Sequence, residues 1–406
     1  MPKASHRAGE MPSSPIRRLV PLAVAAEKRG VHVHYLNIGQ PDVRTPDAFW
    51  DGIRDGMLPT LAYSPSPGVP KLRETAIADY QRRGFPVESA DMVISTGGSE
   101  ACLWAFMVLC DPGDEVIVVE PYYANYSAMA IEAGVNLVAL TTTIESGFAL
   151  PSADEIAKRI TPRTRAILVC NPSNPTGTSF SPAELAALAA LAKRHNLFLI
   201  GDEVYRDFNY TDTPLVSVLN LPGMEDHAVM LDSVSKRFSA CGARIGFFVS
   251  KNKGVMEGVN KLAQARLCSP TLEQVGVERA LRETPLEYFT GVRSEYMRRR
   301  DVLLRELRAI PGVLAPNVNG AFYAIARLPV PDAEEFCKFL LNDFNLEGET
   351  VMMAPASGFY LTPGLGMDEV RIAYVLEEEK LISAMRCLRA GLEAYPATKK
   401  VPAAVK

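Results

Sequence analysis

Four short clusters hold most of the chain's chemical information. The first, Ser233-Val-Ser235-Lys236-Arg237-Phe-Ser-Ala-Cys-Gly242-Ala-Arg244, directly follows an apolar run. A lysine amine flanked by hydroxyls can form an imine with a carbonyl compound, and Arg244, eight residues on, can hold an anion beside it. The second, Asn171-Pro-Ser-Asn174-Pro175-Thr-Gly177, is a rigid turn that can present the Asn174 amide. The third, Gly201-Asp202-Glu203-Val204-Tyr205, offers a carboxylate to a ligand cation. The fourth, Thr96-Gly97-Gly98-Ser99-Glu100, is a strand–glycine–helix junction whose backbone amides suit a phosphate. Each has a plainer reading when taken alone: a surface turn, an Asn-Pro turn, a helix cap and a glycine cap.

The elements around the clusters decide which reading carries weight. Apolar runs at 92–95, 115–119, 136–140, 165–170, 197–201 and 228–231 read as strands. Helical patterns at 99–109, 123–133, 153–160 and 182–195 alternate with them, the last opened by Ser181 and a first-turn proline. Near-continuous apolar strands separated by helices imply a mostly parallel sheet covered on both faces. Ligands in such sheets bind outside the carboxyl ends of the strands, which is where all four clusters fall. Beyond them, a long helical pattern over 285–310 is followed by strands at 321–328, 351–354 and 370–375 and helices at 333–344 and 377–392. That stretch reads as a smaller α+β unit. The proline-spaced N-terminus reads as an arm, followed by a helix ending near Gly30.

Composition narrows the function classes. The 406 residues are 48% hydrophobic and 22% charged, as in globular proteins of two to three domains. Forty-three Lys and Arg against 47 Asp and Glu leave a charge of −4, which argues against a nucleic-acid binder. The Arg298-Arg299-Arg300 run reads as a solvated helix face. Seven cysteines without metal or redox spacing read as small core residues. Residues 1–15 hold no apolar stretch, and no run approaches the length of a spanning helix, so a cytoplasmic protein without signal peptide or membrane segment is expected.

Together, in this order and spacing, the four clusters resemble the class I/II aminotransferases of the aspartate aminotransferase type. The resemblance runs from Leu36-Asn-Ile-Gly39-Gln-Pro41-Asp42 to Val370-Arg371-Ile-Ala-Tyr374. It implies a fold type I enzyme dependent on pyridoxal 5'-phosphate. A large domain with a mostly parallel seven-stranded sheet (48–290) would hold the cofactor. A smaller α+β domain (16–47 with 291–406) and an arm (1–15) would complete the chain. The implied activity moves an amino group from an L-amino acid to a 2-oxo acid in two half-reactions. Aspartate with 2-oxoglutarate leads, and alanine and aromatic donors stay open. Amino acid metabolism is the implied setting.

The resemblance also implies residue roles. Lys236 would link covalently to the cofactor and shuttle the substrate proton, and Asp202 would pair with the ring nitrogen. Asn174 and Tyr205 would hydrogen-bond the ring's phenolate oxygen. Gly98, Ser99, Ser233 and Arg244 would hold the phosphate; Tyr123 would stack on one ring face and Val204 pack the other. Arg371 would clamp the substrate α-carboxylate, with the Gly39 backbone closing over it. Tyr63 would reach the neighbouring subunit's phosphate, making the unit a homodimer with shared sites.

Rival readings fare less well. A carbon–sulfur lyase or cyclopropane-forming synthase of the same fold would depart from the pattern at the turn and lysine, whereas Thr176 is kept. A ligand-sensing domain of a transcription regulator would need a basic DNA-binding domain upstream. His32-x-His34 lies on one strand face, but no third metal ligand is near in sequence, so no metal is expected. Arg266, before Cys268-Ser269-Pro270, does not match the register of a distal-carboxylate arginine and reads as a helix-surface residue.

Overall fold

The computed structural model describes residues 2–57 and 59–399. In chain order the strands are β1 (His32–Tyr35), β2 (Met92–Ser95), β3 (Glu115–Glu120), β4 (Asn136–Thr141), β5 (Thr164–Cys170) and β6 (Phe198–Asp202). They continue with β7 (Ala228–Ser233), β8 (Gly246–Ser250), β9 (Tyr323–Arg327), β10 (Glu349–Met352), β11 (Ala354–Pro355) and β12 (Glu369–Ala373). Seven of them form one sheet in the order β2-β8-β7-β6-β5-β3-β4, with β8 antiparallel to its two neighbours. The fold is therefore α/β with a mostly parallel seven-stranded sheet.

Side-chain alternation explains why these strands read as unbroken apolar runs. Ile94, Ile117, Ile167, Leu199 and Met230 point into one core; Val93, Val116, Leu168, Ile200 and Leu231 point into another. Helices Pro182–Arg194 and Thr271–Glu283 cover the first face, and Gly97–Leu109 and Lys253–Arg266 cover the second. With both faces buried, period-two polarity disappears. A third apolar cluster joins residues Leu19–Leu36 to Val292–Leu392, around the three-stranded sheet β11-β12-β9 and the parallel pair β1-β10.

Periodicity alone does not resolve β8 or the helices Lys253–Arg266 and Thr271–Glu283; β8 is an all-buried strand directly behind the Lys236 turn. Two expectations need correction. The Arg298–Arg300 run is not simply a solvated face. Arg299 is buried, donating to Asp42 (2.7 Å), Glu295 (2.8 Å) and the Val375 carbonyl, and so ties helix Leu286–Arg308 to the loop after β1. The His32-x-His34 pair does meet further donors. Glu349 of β10 lies 3.1 Å from His34 Nε2, and the Cys387 thiol of helix Glu378–Ala394 is close by. Ser383 also donates to Glu349, so the cluster closes as a hydrogen-bond network over β1 and β10.

Candidate active site

Parallel strands deliver their carboxyl ends to one edge of the sheet, and there the site is built. Asp202 ends β6, and Ser233 ends β7 and caps the four-residue helix Val234–Arg237 that presents Lys236. The Asn171–Gly177 turn leaves β5, and Tyr123 lies in the loop between β3 and helix Asn125–Ala133. Gly97 opens the helix after β2 at φ 76°. A cavity of about 180 Å³ collects Gly39, Gly98, Ser99, Tyr123, Asn174 and Asp202. Val204, Tyr205, Ser233, Lys236, Arg244 and Arg371 also line it. Tyr63 does not; it is 79% exposed.

An anion cradle sits at one end. Arg244 (φ 54°) folds its guanidinium over the start of helix Gly97–Leu109, so closely that a Cβ on Gly97 would fall 2.2 Å from Nη2. A Cβ on Gly246, at the start of β8, would meet the Gly97 backbone at 2.5 Å. Glycine at both positions lets the cation, the helix N-terminus and the Ser233 and Ser235 hydroxyls converge. Among the described residues Arg244 has no carboxylate partner; its Nη1 donates to the Cys241 carbonyl at 3.1 Å.

Asp202 lies on the floor and is buried. Tyr126 donates to its Oδ2 and the Val204 amide to Oδ1 (3.4 Å). Burial outweighs these donors and pushes the carboxyl up to about 6. A cation placed against it would be met by a desolvated partner. Above, Lys236 Nζ donates to the Gly39 carbonyl at 2.9 Å and lies 3.6 Å from Cys241 Sγ.

The opposite end holds a second arginine. Arg371, on β12, is 1% exposed with no carboxylate partner among the described residues. Nη1 donates to Asn174 Oδ1 (3.0 Å), Nη2 donates to the Asn37 carbonyl, and Nε has no partner. The rings of Tyr323 and Phe359 flank the guanidinium at 4.6 and 4.9 Å. Desolvation lowers its pKa, as for a cation awaiting an anion. Asn174 Nδ2 is 3.4 Å from the Tyr205 hydroxyl, which is 3.0 Å from that of Tyr323. Gly39 must be glycine, since a Cβ there would collide with Tyr323 Oη at 1.8 Å.

The family model described as aminotransferase class I and II matches residues 31–389. The chain belongs to that family. Aspartate/prephenate aminotransferase of Thermus thermophilus is 31% identical over 369 residues, which cover 89% of this chain and 92% of that one. A Thermus thermophilus aspartate aminotransferase double mutant superposes with TM-score 0.87 at 30% identity, over 96% of this chain and all of that one. Alanine aminotransferase from Pyrococcus furiosus superposes at TM-score 0.89 with 28% identity, over 97% and 100%. The chain is thus a fold type I transaminase dependent on pyridoxal phosphate.

The cavity fits that cofactor. Its donor set offers an unpaired cation in a glycine-lined cradle for a phosphate, a buried carboxylate for a ring nitrogen and a lysine amine for an aldehyde.

Several lining residues escaped sequence reasoning. Tyr126 stands one helical turn after Tyr123, and Asn125 Nδ2 donates to the Tyr123 hydroxyl at 2.9 Å. Tyr323 comes from β9, and Ile16 and Arg17 come from the N-terminal segment. Arg266 requires correction. It is not a surface residue: its guanidinium bonds Thr96 Oγ1 (2.9 Å), Glu100 (2.7 Å) and Ser269 Oγ (2.8 Å) beneath Trp104. It braces the Thr96–Glu100 junction and does not line the cavity of its own chain.

Proposed function

We propose that this transaminase takes L-aspartate as donor and 2-oxoglutarate as acceptor, with the residue roles its sequence resemblance implies. The observation that carries the roles is the set of charges lining one cavity: Arg244, Asp202, Lys236 and Arg371 supply one anchor each for a phosphate, a ring cation, an aldehyde and a carboxylate. Pyridoxal phosphate supplies the aldehyde that links to amines and the ring that accepts the electron pair left on Cα. Arg371, fully desolvated and fork-shaped, binds the α-carboxylate in one orientation with Asn174 beside it. Lys236, released from its covalent link, is the base and acid that moves the proton at Cα. Asp202 holds the ring nitrogen's proton, and Tyr126 keeps the carboxylate aimed. Asn174 and Tyr205 steady the phenolate oxygen, and Tyr123 and Val204 pack the ring.

Aspartate is favoured because it stands in the names of relatives at about 30% identity over most of the chain. We further propose a cytoplasmic homodimer in which Tyr63 completes the partner's phosphate site. The smaller domain (16–47 with 291–406), which carries Gly39 and Arg371, would close on the larger one (48–290). No helix among the described residues is long and apolar enough to cross a membrane. The test is a half-reaction screen of the twenty amino acids, read as loss of the visible absorbance of the lysine-linked cofactor. Fastest reaction with aspartate is expected; fastest reaction with alanine or an aromatic amino acid would replace the proposed donor.

A further inference from the structure

We infer that Arg17 binds the distal carboxylate of a dicarboxylic substrate; this rests on the reading of the cavity given above. The charged side chains lining the cavity are Arg17, Asp202, Lys236, Arg244 and Arg371: four cations against one carboxylate. The cofactor's phosphate takes Arg244, its aldehyde takes Lys236, its ring nitrogen takes Asp202, and the α-carboxylate takes Arg371. Arg17 remains, and it makes no ion pair among the described residues. Its neighbour Arg18, by contrast, is paired with Glu334 at 2.5 Å.

Two tethers hold the Arg17 backbone in register with Arg371. Asn37 Nδ2 donates to the Ile16 carbonyl at 2.7 Å, while the Asn37 carbonyl itself accepts from Arg371 Nη2. Pro15 packs where a Cβ on Gly358 would stand (2.5 Å), and the next residue, Phe359, lies under the Arg371 guanidinium. A single asparagine and a single packing contact thus link the chain at Pro15–Ile16, just before Arg17, to the Arg371 guanidinium. Ile16 and Ile38 also line the cavity, suited to one or two methylenes. The chemistry recognised is a four- or five-carbon α-amino or 2-oxo dicarboxylate. Arg266, the other arginine considered for this task, is already spent on Glu100.

Arg17 is exposed, so its replacement does not threaten the fold. The test compares Arg17→Gln and Arg17→Lys with wild-type holoenzyme in half-reactions with aspartate and with alanine, and measures inhibition by maleate. Arg17→Gln is expected to lower the aspartate-to-alanine ratio of kcat/KM by on the order of 10- to 100-fold, the worth of a charge-assisted hydrogen bond. Maleate should weaken in parallel, and Arg17→Lys should fall between, keeping charge without the planar fork. A ratio within threefold of wild type, with unchanged maleate inhibition, overturns the assignment while leaving aspartate as donor. A wild-type enzyme that turns over alanine but neither aspartate nor glutamate defeats the donor proposal itself, and this one with it.

Discussion

Lys236 and Asp202 show how local surroundings give ordinary residues their proposed tasks. Lys236→Ala is expected to abolish the visible absorbance and turnover while leaving cofactor bound through the Arg244 and Asp202 ends, measurable by dialysis and activity. Appreciable transamination without added amine would contradict the lysine's role. Asp202→Asn is expected to cost far more than tenfold in kcat, about 1.4 kcal/mol of barrier, because an amide cannot hold the ring proton. The same residue should show itself in the cofactor-free protein. Its carboxyl titrates at about 6 when folded and near 4 when unfolded. The folded state therefore binds the proton more tightly. That stability is complete below pH ~4 and is lost as pH rises to about 6, roughly 3 kcal/mol in all. Urea denaturation of the cofactor-free proteins should find Asp202→Asn gaining on wild type by about that amount from pH 4 to 7. A pH-independent difference would refute the buried charge. Lys236, Asp202 and Arg244 were legible because each sits in a contiguous motif at a strand end. Tyr126, Tyr323 and Arg17 were not, since only tertiary packing brings them there. Arg299 misled because a buried arginine and a solvated one look alike in a charged helix.

The junction of β2, helix Gly97–Leu109 and β8 shows what an element does that a motif cannot. A glycine pair after a strand is weak evidence of a phosphate site on its own. The antiparallel return of β8 brings Arg244 against Gly97, and contact between the backbones requires Gly246 as well. Gly97→Ala should therefore damage cofactor affinity more than stability. Its methyl meets the Arg244 guanidinium at the end of a flexible side chain, and φ 76° adds strain. The expected outcome is a cofactor Kd raised on the order of tenfold or more, followed by fluorescence titration, with the cofactor-free protein still folded. Unchanged affinity would show that Arg244 does not face the phosphate. The parallel strands were read from sequence within a residue or two because both faces are apolar. β8 was overlooked because its run, Gly-Phe-Phe-Val-Ser, follows the lysine motif too closely to announce a separate element.

At the scale of the molecule, the open matter is whether one chain makes a whole site. Tyr63 is 79% exposed, and Trp50, Met57 and Leu61 just before it are 52, 70 and 60% exposed. So many large apolar side chains in one segment suit a covered interface. The loop that follows is fixed to its own chain, with Arg266 Nη2 donating to the Ser66 carbonyl at 3.2 Å and Gln274 to Ser64 Oγ at 3.1 Å. Tyr63 is thereby held at a defined place without entering the cavity of its own chain. Mixed dimers of one Tyr63→Phe subunit and one Lys236→Ala subunit decide the matter. If Tyr63 serves the partner, the lysine-bearing site receives its tyrosine from the Lys236→Ala subunit and is wild type throughout; both lesions fall together in the other site. If Tyr63 serves its own chain, the lysine-bearing site lacks the hydroxyl. Losing a hydrogen bond to a charged group weakens binding by on the order of 10- to 100-fold, so cofactor titration separates the cases. Shared sites predict normal affinity and half of wild-type turnover in the purified mixed dimer. Weakened affinity at the lysine-bearing site, or full activity in a strictly monomeric enzyme, would refute the shared site.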